Sequence, residues 1–136
     1  MPDGVYSRRV MKLFRHPKNM GELKNPDGVG KVGNPVCGDV MWIYIRVGRD
    51  KSGREIIRNI KVKTLGCVAA IATSSQITEM AKGKSLEDAM GISNRDIVEL
   101  VDGLPSQKLH CSVLATQALH RAIEDYRKRK RQAGIR

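Results

Sequence analysis

Aromatic residues make up only 4% of this 136-residue chain, cysteine occurs three times, and no apolar run exceeds the stretch from Val40 to Ile45. Each scarcity removes a class. Such a run is far short of the roughly 20 residues that span a bilayer, so no transmembrane helix and no membrane partner are predicted. Three cysteines cannot all pair within one chain, and Cys37, Cys67 and Cys111 lack the CxxC spacing of structural zinc knuckles. A disulfide framework is thereby set aside. Burial, metal ligation or nucleophilic chemistry in a reducing compartment remains, with the cytoplasm as the expected location. Acids are the other shortage: 14 Asp and Glu face 25 Lys and Arg, a formal charge of +11. Seven of those bases lie between Arg121 and Arg136 against Glu124 and Asp125. They read as a solvated helix end, frayed over residues 127 to 136, where cations complement the macrodipole. Few aromatics and no helix-turn-helix, RRM or KH signature speak against nucleic acid as a partner; an acidic protein would use the same charge.

What is present fits one domain, residues 1 to 136, with 40% apolar content for its core. The N-terminus, "MPDGVYSRRVMKLFRHP", is basic and amphipathic but has no apolar h-region, and reads as a short mature helix rather than a targeting segment. That helix is expected over Ser7 to Phe14, halted by His16-Pro17, with a Gly, Pro and Asn-rich loop from Asn19 to Pro35. Residues 1 to 36 are thus expected to be a mobile helix and loop. "DVMWIYIRV" then alternates Met41, Ile43, Ile45 and Val47 against Val40, Trp42, Tyr44 and Arg46, as a strand does. "GRDKSGR" turns the chain, and "EIIRNIKVKTLG" returns it as one long or two consecutive strands. After Cys67 an alanine-rich helix is expected, with Gly83 at its C-terminal end. Ser85 with Asp88 and Ser93 with Asp96 predict two short capped helices, and a long helix follows "DGLPSQKLHC" with Val113, Leu114, Ala118, Leu119, Ala122, Ile123 and Tyr126 as its apolar stripe. Strands before helices predict an α+β fold: a small antiparallel sheet of about three strands covered on one face by helices.

Each cysteine falls at a junction between elements. Singly, each could be a buried small hydrophobe; three at junctions together favour a shared site. Cys67 and Cys111 at helix N-termini are both expected to be acidic thiols, because free amides and the macrodipole favour a thiolate. His110 beside Cys111 offers an imidazole suited to zinc or iron. Asp39 is two residues after Cys37 in extended chain, so the two side chains are expected on one side, while Gly38 leaves the backbone open. Asp39 could equally form an Asx-turn, or serve as a hard oxygen ligand.

Three separated stretches, "GNPVCGDVMWIYIRV", "KTLGCVAAIATSSQITEMAKGKSLEDAM" and "LPSQKLHCSVLATQALHRAIEDY", resemble the IscU and NifU N-terminal type of iron-sulfur cluster assembly scaffold. The resemblance covers nearly the whole chain. It implies that Cys37, Cys67 and Cys111 are cluster ligands, with Asp39, His110 and Lys108 beside them and Gly38 and Gly66 adjacent. It implies a non-catalytic scaffold that accepts sulfur from a cysteine desulfurase at Cys111 or Cys67, Cys111 slightly ahead. Ferrous iron and electrons from a ferredoxin-type donor then give a transient [2Fe-2S] cluster for apo-proteins or carriers. A homodimer could share that cluster. A zinc-bound sulfur acceptor of the SufU kind is the alternative, although the SufU insertion between the second and third cysteines is missing. "LPSQK" replaces the Leu-Pro-Pro-Val-Lys peptide that docks a specialised Hsp70 chaperone, which weakens the expectation of that partner. A cysteine hydrolase using Cys111 and His110 ranks low, since no oxyanion-hole motif accompanies them.

Overall fold

A computed structural model describes residues 6–35 and 38–134. Helix α1 (Arg8–Arg15) leads into three strands, β1 (Gly28–Gly33), β2 (Val40–Arg49) and β3 (Glu55–Leu65). Four helices follow: α2 (Val68–Ala81), α3 (Leu86–Met90), α4 (Asn94–Leu100) and α5 (His110–Gln132), with a 3-10 turn at Ser106–Lys108. The strands form one antiparallel sheet in the order β1, β2, β3.

Period-2 alternation turns Met41, Ile43 and Ile45 of β2 and Ile60 and Val62 of β3 inward, an irregularity in the pairing opposite Arg46 and Val47 brings Ile57 to the same face, and Ile77 of α2 and Leu119 and Ile123 of α5 meet them there. All are fully buried, each worth about 1.5–3 kcal/mol relative to exposure. α2 lies within the core, and so most of its positions are buried, including Thr73, Ser74 and Thr78. Their hydroxyls donate to the carbonyls of Ala69, Ile71 and Ser75, which lets a polar side chain sit inside without an orphan group. Ser85 and Ser93 cap α3 and α4 as the spacing predicts, the second as a complete capping box with Asp96. Gly83, at φ +85°, turns the chain after α2.

Two expectations need correction. The stretch Asn19 to Pro35 is not all loop, because β1 lies within it. Its glycines hide a packing requirement: a Cβ on Gly28 would stand 2.2 Å from the Ala122 carbonyl oxygen, and one on Gly30 2.1 Å from that of Ala118. Glycine here lets the α5 backbone lie directly on β1. The β1 edge is closed by the same helix, for Asp125 accepts the Val29 N–H, Arg121 donates to the Lys31 carbonyl and Arg129 to that of Pro26. The basic end of the chain is helical to Gln132. Lys130 meets Glu55 at 3.0 Å and Arg129 meets Asp125 at 3.0 Å, so side-chain pairing holds this turn. Val113, counted in the apolar stripe, instead lies outward and is exposed.

Candidate functional site

Three junctions meet at one end of the sheet. β2 begins directly after Asp39, β3 ends at Leu65 and passes through Gly66 to Cys67, the N-cap of α2, and α5 opens on His110 and Cys111. The Cys67 and Cys111 sulfurs lie 3.7 Å apart. His110 Nε2 lies 3.6 Å and Asp39 Oδ2 4.0 Å from the Cys111 sulfur. Asp39, His110 and Cys111 each bring one ligand atom within 4.8 Å of the others'.

Glycine makes this convergence possible twice. A Cβ on Gly66 would stand 2.8 Å from the Ala70 Cβ and 3.1 Å from the Asp39 carboxyl carbon, so only glycine lets the strand end, the carboxylate and α2 come together. Gly38, at φ +77°, donates its N–H to the Asn34 carbonyl at 2.7 Å, while the Asn34 N–H returns to the Asp39 carbonyl. That turn aims Asp39, which is buried, at Cys111. Cys37 lies outside the described residues, and with it the expected pairing of Cys37 and Asp39 side chains.

The two thiols are not equivalent. Cys67 is half-buried, and its thiol is pulled down to about 6, chiefly because Cys111 donates a hydrogen bond to its sulfur; burial and Asp39 oppose this, the Ala70 amide and Lys108 assist. Cys111 is fully buried, and its thiol is pushed up by the same shared proton first, then by burial and by the charges of Cys67 and Asp39. The pair surrenders one proton readily and holds the other. The expectation of two acidic thiols therefore fails for Cys111. A helix N-terminus favours a thiolate, but a neighbouring thiolate and a carboxylate in a sealed site oppose it more strongly. Lys108, at the end of the 3-10 turn, is raised mainly by the Cys67 charge, which puts its ammonium within the field of the site.

Two residues not counted among the site candidates complete the wall. Tyr6 and Leu104, like Cys67, pack against the cluster of Ala69, Ala70 and Cys111. Burial raises the Tyr6 phenol, with Lys108 opposing and the thiols adding. No spacing rule links Tyr6 to Cys111; the docking of α1 on α2 through Val10, Leu13 and Ala72 brings it there.

The donor set suits a thiophilic metal. Two sulfurs at about 2.3 Å from a tetrahedral centre stand about 3.8 Å apart, and a sulfur and an imidazole nitrogen about 3.6 Å apart. Both observed separations agree with this geometry, while the carboxylate is somewhat farther away.

The family model described as NifU-like N terminal domain matches residues 5–133. The chain belongs to the NifU-like N-terminal domain family. It is 55% identical over 122 residues to the iron-sulfur cluster assembly scaffold protein IscU 1 of Archaeoglobus fulgidus, covering 90% of this chain and 76% of that one. Against the scaffold protein IscU of Escherichia coli K12 the identity is 47% over 132 residues, covering 95% and 98%. Among solved structures, an iron-sulfur cluster assembly scaffold protein for the SUF system from Fervidobacterium islandicum AW-1 superposes with a TM-score of 0.71 at 20% identity, covering 90% and 99%. That last likeness supports the α+β fold with its three-stranded sheet and long final helix.

Proposed function

We propose that this protein is a scaffold on which an iron-sulfur cluster is assembled and from which it is released. The observation that carries the reading is the convergence of Cys67, Cys111, His110 and Asp39 at one end of the sheet, in a chain that belongs to the family and is about half identical to relatives named as IscU scaffolds. Cys37, four residues after Gly33 at the end of β1, is the third thiol of the set.

In this reading the cargo is a [2Fe-2S] cluster. Ferrous iron binds among the thiolates, and a cysteine desulfurase hands over sulfane sulfur as a persulfide on one scaffold cysteine. Reducing that sulfur to sulfide takes two electrons for each atom, supplied by the ferrous ions as they oxidise and by a ferredoxin-type donor. Cys67 is the reachable thiolate, whereas transfer to Cys111 requires its surroundings to open, since that residue is fully buried. His110 Nε2, 3.6 Å from the Cys111 sulfur, is placed to take its proton when they do. The finished cluster then passes to apo-proteins or carriers, and the protein acts as a carrier rather than as a conventional catalyst.

Asp39 gives the site its lability. A hard carboxylate among soft thiolates holds a cluster less firmly than another cysteine would, and a scaffold must let go of what it builds. A zinc-bound sulfur acceptor is the second reading, favoured by the same tetrahedral separations, with zinc held by Asp39, Cys67, Cys111 and either His110 or Cys37.

Anaerobic incubation with ferrous iron and sulfide, followed by assay of iron, zinc and acid-labile sulfide per chain, separates the two. Equal iron and sulfide with sulfur-to-iron charge-transfer absorption is the expected result. Firmly held zinc with neither iron nor sulfide retained would establish the sulfur-acceptor reading instead.

A further inference from the structure

Helix α1 is held on α2 by Val10 and Leu13, which pack with Ala72 and Val101. The turn that follows is fastened to the same helix. The Lys18 N–H donates to Ser75 Oγ at 2.7 Å, and the Asn19 side-chain amide donates to Thr78 Oγ1 at 3.0 Å and to Glu79 Oε2 at 3.3 Å. Between the two segments these contacts leave a cavity of about 160 Å3. Leu13 and Gln76 are its buried lining, and the exposed Arg9, Lys12, His16 and Lys18 are its cationic lining, with Glu79 as the one acid. Gln76 is 5% exposed, and its Oε1 accepts no hydrogen bond among the described residues. The buried hydroxyls of Thr73, Ser74, Ser75 and Thr78 on the same helix are all bonded, which singles Gln76 out. The cations are uncompensated too: Arg9, Lys12 and Lys18 have no carboxylate partner among the described residues.

We propose that this cavity binds a four-carbon dicarboxylate carrying a hydroxyl or ammonium group. That group donates to Gln76 Oε1, and the carboxylates lie among Arg9, Lys12 and Lys18. The unmatched group on the buried side is an acceptor, so it calls for a ligand O–H or N–H rather than for a bare anion. The terminal torsion of a glutamine side chain is broad, and a small rotation turns the shielded Oε1 onto such a donor. The cations are spread in a row. Arg9, Lys12 and His16 follow one another at three and four residues along α1 and its C-cap, one side of the helix over about 10 Å. A single tetrahedral oxyanion meets one end of that row; two carboxylates meet more of it. Size agrees, since a cavity of about 150 Å3 holds benzene and a four-carbon diacid is only a little larger, with its charged ends directed to the exposed cations. The site is separate from the thiols, because Gln76 stands nine residues beyond Cys67, about 13 Å along the α2 axis. An occupant bridges α1 and α2, and so strengthens the docking that also brings Tyr6 to Cys111.

Titration of the 15N-labelled full chain with L-malate, L-aspartate, succinate and sulfate tests this. Malate or aspartate is expected to shift the amides around Arg9, Lys18 and Gln76 saturably, and to bind about tenfold more tightly than succinate, which has both carboxylates but no donor. Gln76→Met keeps a side chain of similar length without the acceptor. It should reduce malate and aspartate to the succinate level and leave succinate unchanged, and it is expected to fold, since the acceptor it removes has no donor. Lys12→Glu/Lys18→Glu should abolish binding of all the diacids, with the remaining amide signals in place as proof of folding. Equal affinity for all four anions would reduce the cavity to a basic patch and overturn the proposal. So would the absence of saturable binding by malate and aspartate, or a preference over succinate that survives in Gln76→Met.

Discussion

The Cys67 and Cys111 sulfurs are 3.7 Å apart, yet Cys67 opens to the surface while Cys111 is completely sealed. One shared proton links them and makes the pair asymmetric.

Alkylation should follow that asymmetry. With its thiol lowered to about 6, Cys67 is mostly thiolate at pH 7 and loses reactivity as pH falls through 6. Iodoacetamide labelling mapped to individual peptides is expected to show Cys67 modified with a midpoint near this value and Cys111 modified far more slowly. In Cys111→Ala the donated hydrogen bond is gone, and the Cys67 midpoint should rise toward the ordinary thiol range. An unchanged midpoint would show that the helix terminus alone sets it.

Asp39→Ala should lengthen the life of a bound cluster and slow its transfer to an apo-ferredoxin, by about tenfold if its carboxylate weighs as much as other groups that tune a metal site. Decay of the visible absorption and the transfer rate both report it. Equal transfer rates in variant and wild type would remove Asp39 from release.

Gly30→Ala places a methyl group against the Ala118 carbonyl and should cost about 1–3 kcal/mol through forced separation of β1 from α5. Gly91→Ala is the control. Its φ of −83° suits any residue and its nearest contact, the Asp88 oxygen, would be at 3.4 Å. That change should lie within about 0.5 kcal/mol of wild type in urea denaturation.

Ser93→Ala removes the hydroxyl that accepts the Asp96 N–H and breaks the capping box of α4. A loss of about 1 kcal/mol is expected, read as a lower urea midpoint with an unchanged slope. Because α4 also carries buried Ile97 and leads to Val101, which packs on α1, a larger loss would mean that α1 loosens with it.

Local rules made much of the fold legible. Alternation along "DVMWIYIRV" fixes which side chains of β2 face inward, and serine three residues before aspartate marks α3 and α4, because strand pleat and helix capping act within a few residues. β1 stayed hidden for a reason that lies elsewhere in the chain. Gly28 and Gly30 weaken a strand locally and read as loop, but they are there to admit the backbone of α5 about ninety residues later. The helical order of Arg129 and Lys130 is likewise set by Asp125 and Glu55.

At the site, the chain order places each cysteine at a junction and puts His110 beside Cys111. Those positions are properties of the sequence. Which groups touch is decided by the fold: the Gly38 turn sends Asp39 to Cys111, Gly66 lets it approach α2, and the packing of α1 brings in Tyr6. Protonation follows from that assembly. A thiol's own helix position predicts its acidity only when no other anion shares the cavity, and here the second thiol and the carboxylate arrive from distant parts of the chain.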